Sequence, residues 1–184
     1  MVEQTQALLN PLPPTEDEDR VNAVFRQVET MLGFIPDGLR LYGISPPLME
    51  SFVGNVGYFR QHPSLRGELL AMIRYLGSAQ VGCQFCIDLN EGFLTHMGVD
   101  LDDVRAARKD IGKAPLSEQE KVLLNLALKA INDPDNVRQT DIDSARAQGW
   151  NDREIFDAVA QAANNRAFNY ILKTFKVEHQ GVFA

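Results

Sequence analysis

Apolar residues along the chain recur at intervals of three and four rather than two, so the pattern predicts helices nearly throughout. Val21, Val24, Phe25, Val28, Met31 and Leu32 form one stripe that stops at Gly33, behind a Thr15/Glu18 pair with capping-box spacing. Pro36 and Gly38 mark a turn, Leu39 to Tyr42 fits a short helix, and Ser45-Pro46-Pro47 opens a helix expected over 48–59. Gly54 and Gly57 inside it cost about 1 kcal/mol each against alanine, which predicts close helix approach or a local irregularity there. Leu69, Met72, Ile73 and Leu76 define a helix over 65–80, with Arg66, Glu68 and Arg74 off that stripe. Gly82 breaks it, and a new helix ending at Gly98 carries Cys83, Cys86, Leu89, Asn90, Phe93 and Met97 on one broad face. Further helices are expected at about 101–110, at 117–132 behind a Ser117/Glu120 box, at 140–148, and at 152–175 behind an Asn151/Glu154 box. No alternating or β-branched run of strand length remains, so the fold class is all-α, a helical bundle without significant sheet. Residues 1–14, with Pro11, Pro13 and Pro14 and no periodicity, read as an extended N-terminal arm ahead of a single helical domain at 15–184.

A chain of 184 residues can bury roughly 70% of its unfolded surface, enough for one domain without staples. Its 18 basic and 25 acidic side chains give a formal charge of −7, which repels phosphate backbones and anionic membranes, and no basic patch counters it. The first residues have neither a basic opening nor an apolar run, and no segment approaches the ~18 apolar residues of a membrane span. The expectation is a soluble, cytoplasmic protein with no nucleic-acid or membrane partner.

Two cysteines change the picture. Cys83 and Cys86, in Gly82-Cys83-Gln84-Phe85-Cys86, are the only ones in the chain and sit at a predicted helix start. There the unsatisfied backbone N–H groups and the positive end of the helix dipole favour a thiolate. Two thiols one turn apart can also close a disulfide, which makes a dithiol redox centre the leading hypothesis. The competing reading is ordinary packing, because free cysteine behaves as a small buried hydrophobe. Zinc would need two more ligands from His62, His96, His179 or a carboxylate, and no second ligand pair with zinc-like spacing is present.

Several segments carry a further likeness: Gly33-Phe34-Ile35-Pro36-Asp37, Ser45-Pro46, Gly82–Leu89, Asp141-Ile142-Asp143, Gly149–Ile155 and Asn164–Asn169. Through them most of residues 30–178 resembles the carboxymuconolactone decarboxylase superfamily, in its alkylhydroperoxidase D-like (AhpD-like) branch. That resemblance implies an all-helical homo-oligomer with the cysteine pair at its active site and no bound metal or organic cofactor. It also implies chemistry in which Cys86 attacks a hydroperoxide or other small oxidant and Cys83 resolves the sulfenic acid into a disulfide. A thiol or dithiol reductant protein must then restore the pair.

The chain departs from the family pattern where that pattern puts a proton relay. The histidine expected four residues after the second cysteine is Asn90, and the glutamate expected twelve before the first is Ala71. Some members carry a histidine between the cysteines, where this chain has Phe85. Asn90 can donate and accept hydrogen bonds but takes no proton near neutral pH, so it cannot be a general base. Glu68, one helical turn from Ala71, and His62, in the preceding loop, are the candidate replacements, each with an ordinary surface or ion-paired role as its alternative. Tyr75 and Asp88 are polar neighbours, and His96 is rotated roughly 80° from Cys86 on an ideal helix. The readings in play are an AhpD-like dithiol peroxidase with an altered relay, a lactone-processing enzyme in which cysteines are dispensable, and a non-catalytic oligomeric redox sensor.

Overall fold

Nine α-helices and three single-turn 3-10 helices account for the regular structure among the described residues, 6–183 of this computed structural model, and no strand occurs among them. In chain order the α-helices are α1 (Glu18–Leu32), α2 (Asp37–Tyr42), α3 (Pro46–Arg60), α4 (Gly67–Val81), α5 (Gln84–His96), α6 (Leu101–Ala107), α7 (Glu118–Asn132), α8 (Gln139–Ala147) and α9 (Asp152–Phe175). None is long and apolar enough to cross a membrane. Residues 1–5 of the predicted arm lie outside the described residues. The chain divides into two compact units, one made of residues up to Gln61 together with those from Ile171 onward, the other running His62–Tyr170.

In the first unit, Val21 and Val28 of α1 meet Leu39 of α2 and Met49 of α3. Phe25, Leu32, Ile35, Tyr42 and Phe52 close over them. The Thr15/Glu18 box does not open α1: Thr15–Asp17 form a 3-10 turn, and α1 starts at Glu18 with Asp17 as its N-cap and no side-chain cap bond. The helix does end at Gly33, whose φ of +82° is the left-handed conformation glycine adopts without a Cβ penalty. The buried Asp37 has a structural task in this unit. Its carboxylate accepts the Val182 and Phe183 N–H groups, and its own N–H donates to Gln180 Oε1 at 3.0 Å, which pins the C-terminal tail to α2. Gly54 and Gly57 do not mark close helix approach, since a Cβ at either would meet no atom within 4 Å. That side of α3 is open, with Leu48, Val56 and Tyr58 exposed beside them.

In the second unit α4 is the central helix, buried at nine of its fifteen residues and packed against α5 and α7. A Cβ on Gly77 would lie 3.4 Å from Ile131 Cδ1 of α7, so this glycine does sit at a close helix crossing. The Ser117/Glu120 box opens α7 as the sequence predicts, each side chain bonded to the other residue's backbone N–H. Asn151 and Glu154 form the same reciprocal bonds, at 2.9 and 3.0 Å, ahead of α9. The buried residues of α5 are Phe85, Cys86, Ile87, Asn90, Glu91 and Leu94, and Leu89 and Phe93 of the predicted face are only half-buried. Met97 of that face stands 39% exposed, because α5 ends at His96 and the chain turns at Gly98 with φ +85°.

Candidate functional site

Gly82 takes φ +64° to end α4 and turn the chain directly into α5, with Cys83 as the N-cap residue of α5 and Cys86 in its first turn. The helical turn brings Cys83 Sγ to 3.1 Å from Cys86 Sγ, with the Cys83 thiol donating. Both are free thiols, and each residue is 1% exposed. A disulfide bond is about 2.05 Å long, so closing this one needs a movement of about 1 Å between the sulfurs.

A lattice of uncharged hydrogen bonds from α4 and α9 surrounds the pair. Ser78 of α4 is its hub: the Oγ–H donates to Arg74 O at 2.6 Å, and the Oγ accepts from Asn165 Nδ2 at 3.0 Å and Asn169 Nδ2 at 3.1 Å. Asn165 Nδ2 also reaches Arg74 O at 3.1 Å and Asn169 Oδ1 at 3.2 Å. Ser78 and Asn169 are wholly buried, and both hydrogen-bond the Cys86 sulfur. An asparagine or serine placed on a buried helix face must find partners, and here these residues satisfy one another.

Asn90 joins the site from the other side. Its Nδ2 donates to Cys86 O one turn back at 2.7 Å, and its Oδ1 accepts from Arg74 Nε at 2.9 Å. Arg74 thus lies inside the site, with its backbone carbonyl in the α4/α9 lattice and its guanidinium held by Asn90. Burial lowers its pKa to about 10, and attraction to Cys86 works in the opposite direction. It therefore remains a cation at neutral pH. The Cys86 thiol is pushed up, first by the hydrogen bond with Cys83 and then by burial, while Asn169 and Ser78 pull it down. Two sulfurs this close share one negative charge, so the second proton is held strongly once the first has left.

Glu68 forms an ion pair with Arg66 at 3.5 Å, and Arg66 also reaches Glu120 at 3.2 Å. The buried His62 ring accepts the Leu65 and Ser64 N–H groups at Nδ1, at 2.9 and 3.3 Å, and its Nε2 meets Asp157 Oδ2 at 3.0 Å. That arrangement fixes the Nδ1-acceptor tautomer and staples the loop ahead of α4 to α9. Tyr75 donates to Glu91 Oε1 at 2.8 Å, and Arg105 of α6 and Arg108 just after that helix also bond Glu91. Asp88 accepts from Gln84 on the surface at 2.6 Å, and His96 is exposed at the end of α5. Among the described residues no group of three or more His, Cys, Asp or Glu side chains could hold a metal ion. A polar cleft of about 370 Å³ beside Arg66, Glu120 and Trp150, and an apolar groove of about 440 Å³ beside Leu126, Ile142 and Phe156, both lie away from the thiols.

Sequence reasoning places Arg74 only off the apolar stripe and Asn165 and Asn169 only within a segment of likeness, none of them as a site residue, and it passes over Ser78. The signal that marks them is polar residues in i, i+4 pairs on faces that are otherwise apolar: Arg74/Ser78 on α4, Cys86/Asn90 on α5 and Asn165/Asn169 on α9.

Three solved structures place this architecture. An uncharacterized peroxidase-related protein from Silicibacter sp. TM1040 superposes with a TM-score of 0.85 at 18% identity, over 100% of this chain and 99% of that one. A second, described as an alkylhydroperoxidase AhpD core protein from Ralstonia eutropha JMP134, gives 0.80 at 19% identity over 96% and 94% of the two chains. The debrominase Bmp8, as a cysteine-to-alanine variant in complex with 2,3,4-tribromopyrrole, gives 0.73 at 22% identity over 93% and 92%. No protein-family profile matches the chain, and no curated protein does. The fold is that of AhpD-like helical proteins.

Proposed function

We propose that the protein is an AhpD-like dithiol oxidoreductase that reduces hydroperoxides through Cys86 and Cys83. The observation that carries this is the pair of free, enclosed thiols 3.1 Å apart at the start of α5, set against hydrogen-bond donors on α4 and α9. The Cys86 thiolate attacks the distal oxygen of ROOH. The O–O bond breaks, the alkoxide leaves and takes a proton as ROH, and Cys86 becomes a sulfenic acid. Cys83 then attacks the Cys86 sulfur, the S–S bond forms, and hydroxide leaves with the Cys83 proton as water. An external thiol or dithiol protein returns the two electrons by disulfide exchange. The peroxidase-related neighbours of the same fold support this reading.

A second acceptor class follows from the debrominase neighbour, whose cysteine variant holds a bromopyrrole. There the same two electrons would turn an aryl bromide and two thiols into the arene, bromide with a proton, and the disulfide. The test is consumption of hydrogen peroxide, an organic hydroperoxide and 2,3,4-tribromopyrrole by the fully reduced protein, beside Cys83→Ser and Cys86→Ser. Loss of two thiols per substrate reduced, abolished by Cys86→Ser, is the expected result. Oxidation no faster than that of free cysteine and indifferent to both substitutions would overturn the proposal. Catalysis on a lactone by the double serine variant would establish instead an enzyme for which the cysteines are dispensable.

A further inference from the structure

We infer that Arg74 is the residue that makes Cys86 nucleophilic, taking by charge the role that a histidine–glutamate relay would perform by proton transfer. This rests on the reading above that Cys86 is the attacking sulfur. Three observations converge on Arg74. The first is position. It projects from α4 one turn before Ser78, whose hydroxyl touches Cys86, and its Nε is fixed at 2.9 Å on Asn90 Oδ1, while the same Asn90 side chain holds Cys86 O. A single amide therefore sets where the cation and the sulfur-bearing turn lie relative to one another.

The second is that the cation lacks a counter-ion. Arg66 pairs with Glu68 and Glu120, and Arg105 and Arg108 share Glu91, whereas Arg166 on α9 is held by the amides of Gln80 and Asn132. Arg74 has no carboxylate among the described residues; Asn90 is its only side-chain partner, and the anion-forming group it interacts with is Cys86. A cation enclosed without a carboxylate is costly to keep, so a negative charge arising beside it is favoured in proportion. The third is the absence of a competing base. Among the described residues the titratable or charged groups that act on Cys86 are Cys83 on its own helix and Arg74 on α4, the latter linked through Asn90, and from α9 come the uncharged Asn165 and Asn169. Glu91, on the next turn of α5, is turned to Tyr75, Arg105 and Arg108. His62 has its Nδ1 committed to backbone N–H groups and its Nε2 to Asp157.

Arg74 cannot accept the thiol proton, so the proton leaves to water and the guanidinium stabilises the thiolate that remains. The Cys83 hydrogen bond and burial of the sulfur work against ionisation, and the Arg74 charge with the Ser78 and Asn169 contacts opposes part of that. The role calls for a charge rather than for a particular fork of hydrogen bonds, which gives the test its variants. Arg74→Gln keeps an amide near Asn90 and removes the charge. Arg74→Lys keeps the charge. Asn90→Asp leaves Arg74 in place and neutralises it with a carboxylate.

The experiment follows thiolate absorbance near 240 nm against pH, and the rate of alkylation by neutral iodoacetamide, in the reduced full-length protein of each variant. A titration midpoint higher by one unit means about tenfold less thiolate at neutral pH. Arg74→Gln and Asn90→Asp are each expected to slow alkylation about tenfold or more and to move the midpoint upward, with Arg74→Lys close to wild type. Should Arg74→Gln fail to fold, Arg74→Met, which also removes the charge, takes its place. Unchanged midpoints and alkylation rates in the variants that fold would overturn the inference, as would an Arg74→Lys protein as impaired as Arg74→Gln, which would point to packing. Neither readout uses peroxide. A protein inert to peroxide whose thiols still depend on Arg74 would sink the proposed function and leave this inference standing, and the reverse pattern would do the opposite.

Discussion

Ser78→Ala removes one oxygen from the centre of the site, and its consequence can be worked out bond by bond. The Oγ accepts from Asn165 and Asn169, and its one hydroxyl proton goes to Arg74 O, with the Cys86 sulfur also against it. After the change Asn165 keeps Arg74 O as an acceptor at 3.1 Å, and Asn169 keeps only the weakly accepting sulfur. The two hydrogen bonds that the Oγ accepts, with net values of about 1 kcal/mol each, are lost, the back-bond to Arg74 O counts for little as it does at Ser144, and alanine returns roughly 0.5 kcal/mol of helix propensity. The balance is a loss of about 1.5 kcal/mol, or about 3–6 °C in Tm for a chain of this size. Urea unfolding of the fully reduced protein should show a lower midpoint with an unchanged slope. Ser144→Ala is the control, because Ser144 makes the same back-bond to a carbonyl four residues earlier, at 2.7 Å, but on an exposed face with nothing bonded to it in return. It should be neutral or slightly stabilising. A Ser78→Ala protein as stable as the Ser144→Ala control would refute the view of Ser78 as a hub.

Glu91 is pushed up by burial, yet Arg105, Tyr75 and Arg108 outweigh this and hold its carboxyl below its ordinary value. The stability it contributes is therefore complete above about pH 4.3 and lost as pH falls below it. Glu91→Gln should cost about 1–3 kcal/mol at neutral pH and flatten the acid limb of stability, read by urea midpoints from pH 7 down to 3. Cys86 has the opposite sign: its raised pKa means stability that is complete below the ordinary cysteine value of about 8.5 and lost as pH rises above it. Cys86→Ser should flatten that alkaline loss, and an unchanged slope between pH 8 and 10 would contradict the assignment. Asp37→Ala should free the C-terminal tail, seen as fast hydrogen exchange at the Val182 and Phe183 amides, whereas continued protection would mean that something else holds the tail.

What could be read in the sequence divides along the range of the interactions. The boxes at Ser117/Glu120 and Asn151/Glu154 are local, three residues wide, and form as their spacing predicts. Thr15/Glu18 has the same spacing and fails, because Pro13 and Pro14 deliver the chain into a 3-10 turn in which Thr15 is already helical and cannot act as a cap. Gly54 and Gly57 suggested a crossing that Gly77 makes instead, since a glycine's local cost does not say what lies opposite it. The cysteine pair was legible because its spacing alone brings the sulfurs together. The lattice around it was not, because Ser78 meets Asn165 and Asn169 across 87 and 91 residues of chain, and only the packing of α4 on α9 creates those contacts.

The two relay positions show why an absent motif and an absent chemistry are different things. Ala71 is wholly buried and offers no ionisable group to the sulfur, so no acid–base chemistry is available at that position. Asn90 is not a passive replacement, however: where a histidine would exchange protons, it orients, with one end on Cys86 O and the other on Arg74. A base makes thiolate by taking its proton, and its own titration then puts a limit on the acid side of the rate profile. A fixed cation lowers the energy of the thiolate without titrating near neutral pH, so the rate of thiol oxidation should climb with pH along a single ionisation, that of the sulfur. Replacing Asn90 by histidine would therefore not simply restore a relay. It would remove the acceptor that holds Arg74 and set a second positive charge beside the first whenever the imidazole protonates, so the variant should gain an acid-side inflection only by losing the anchorage of Arg74.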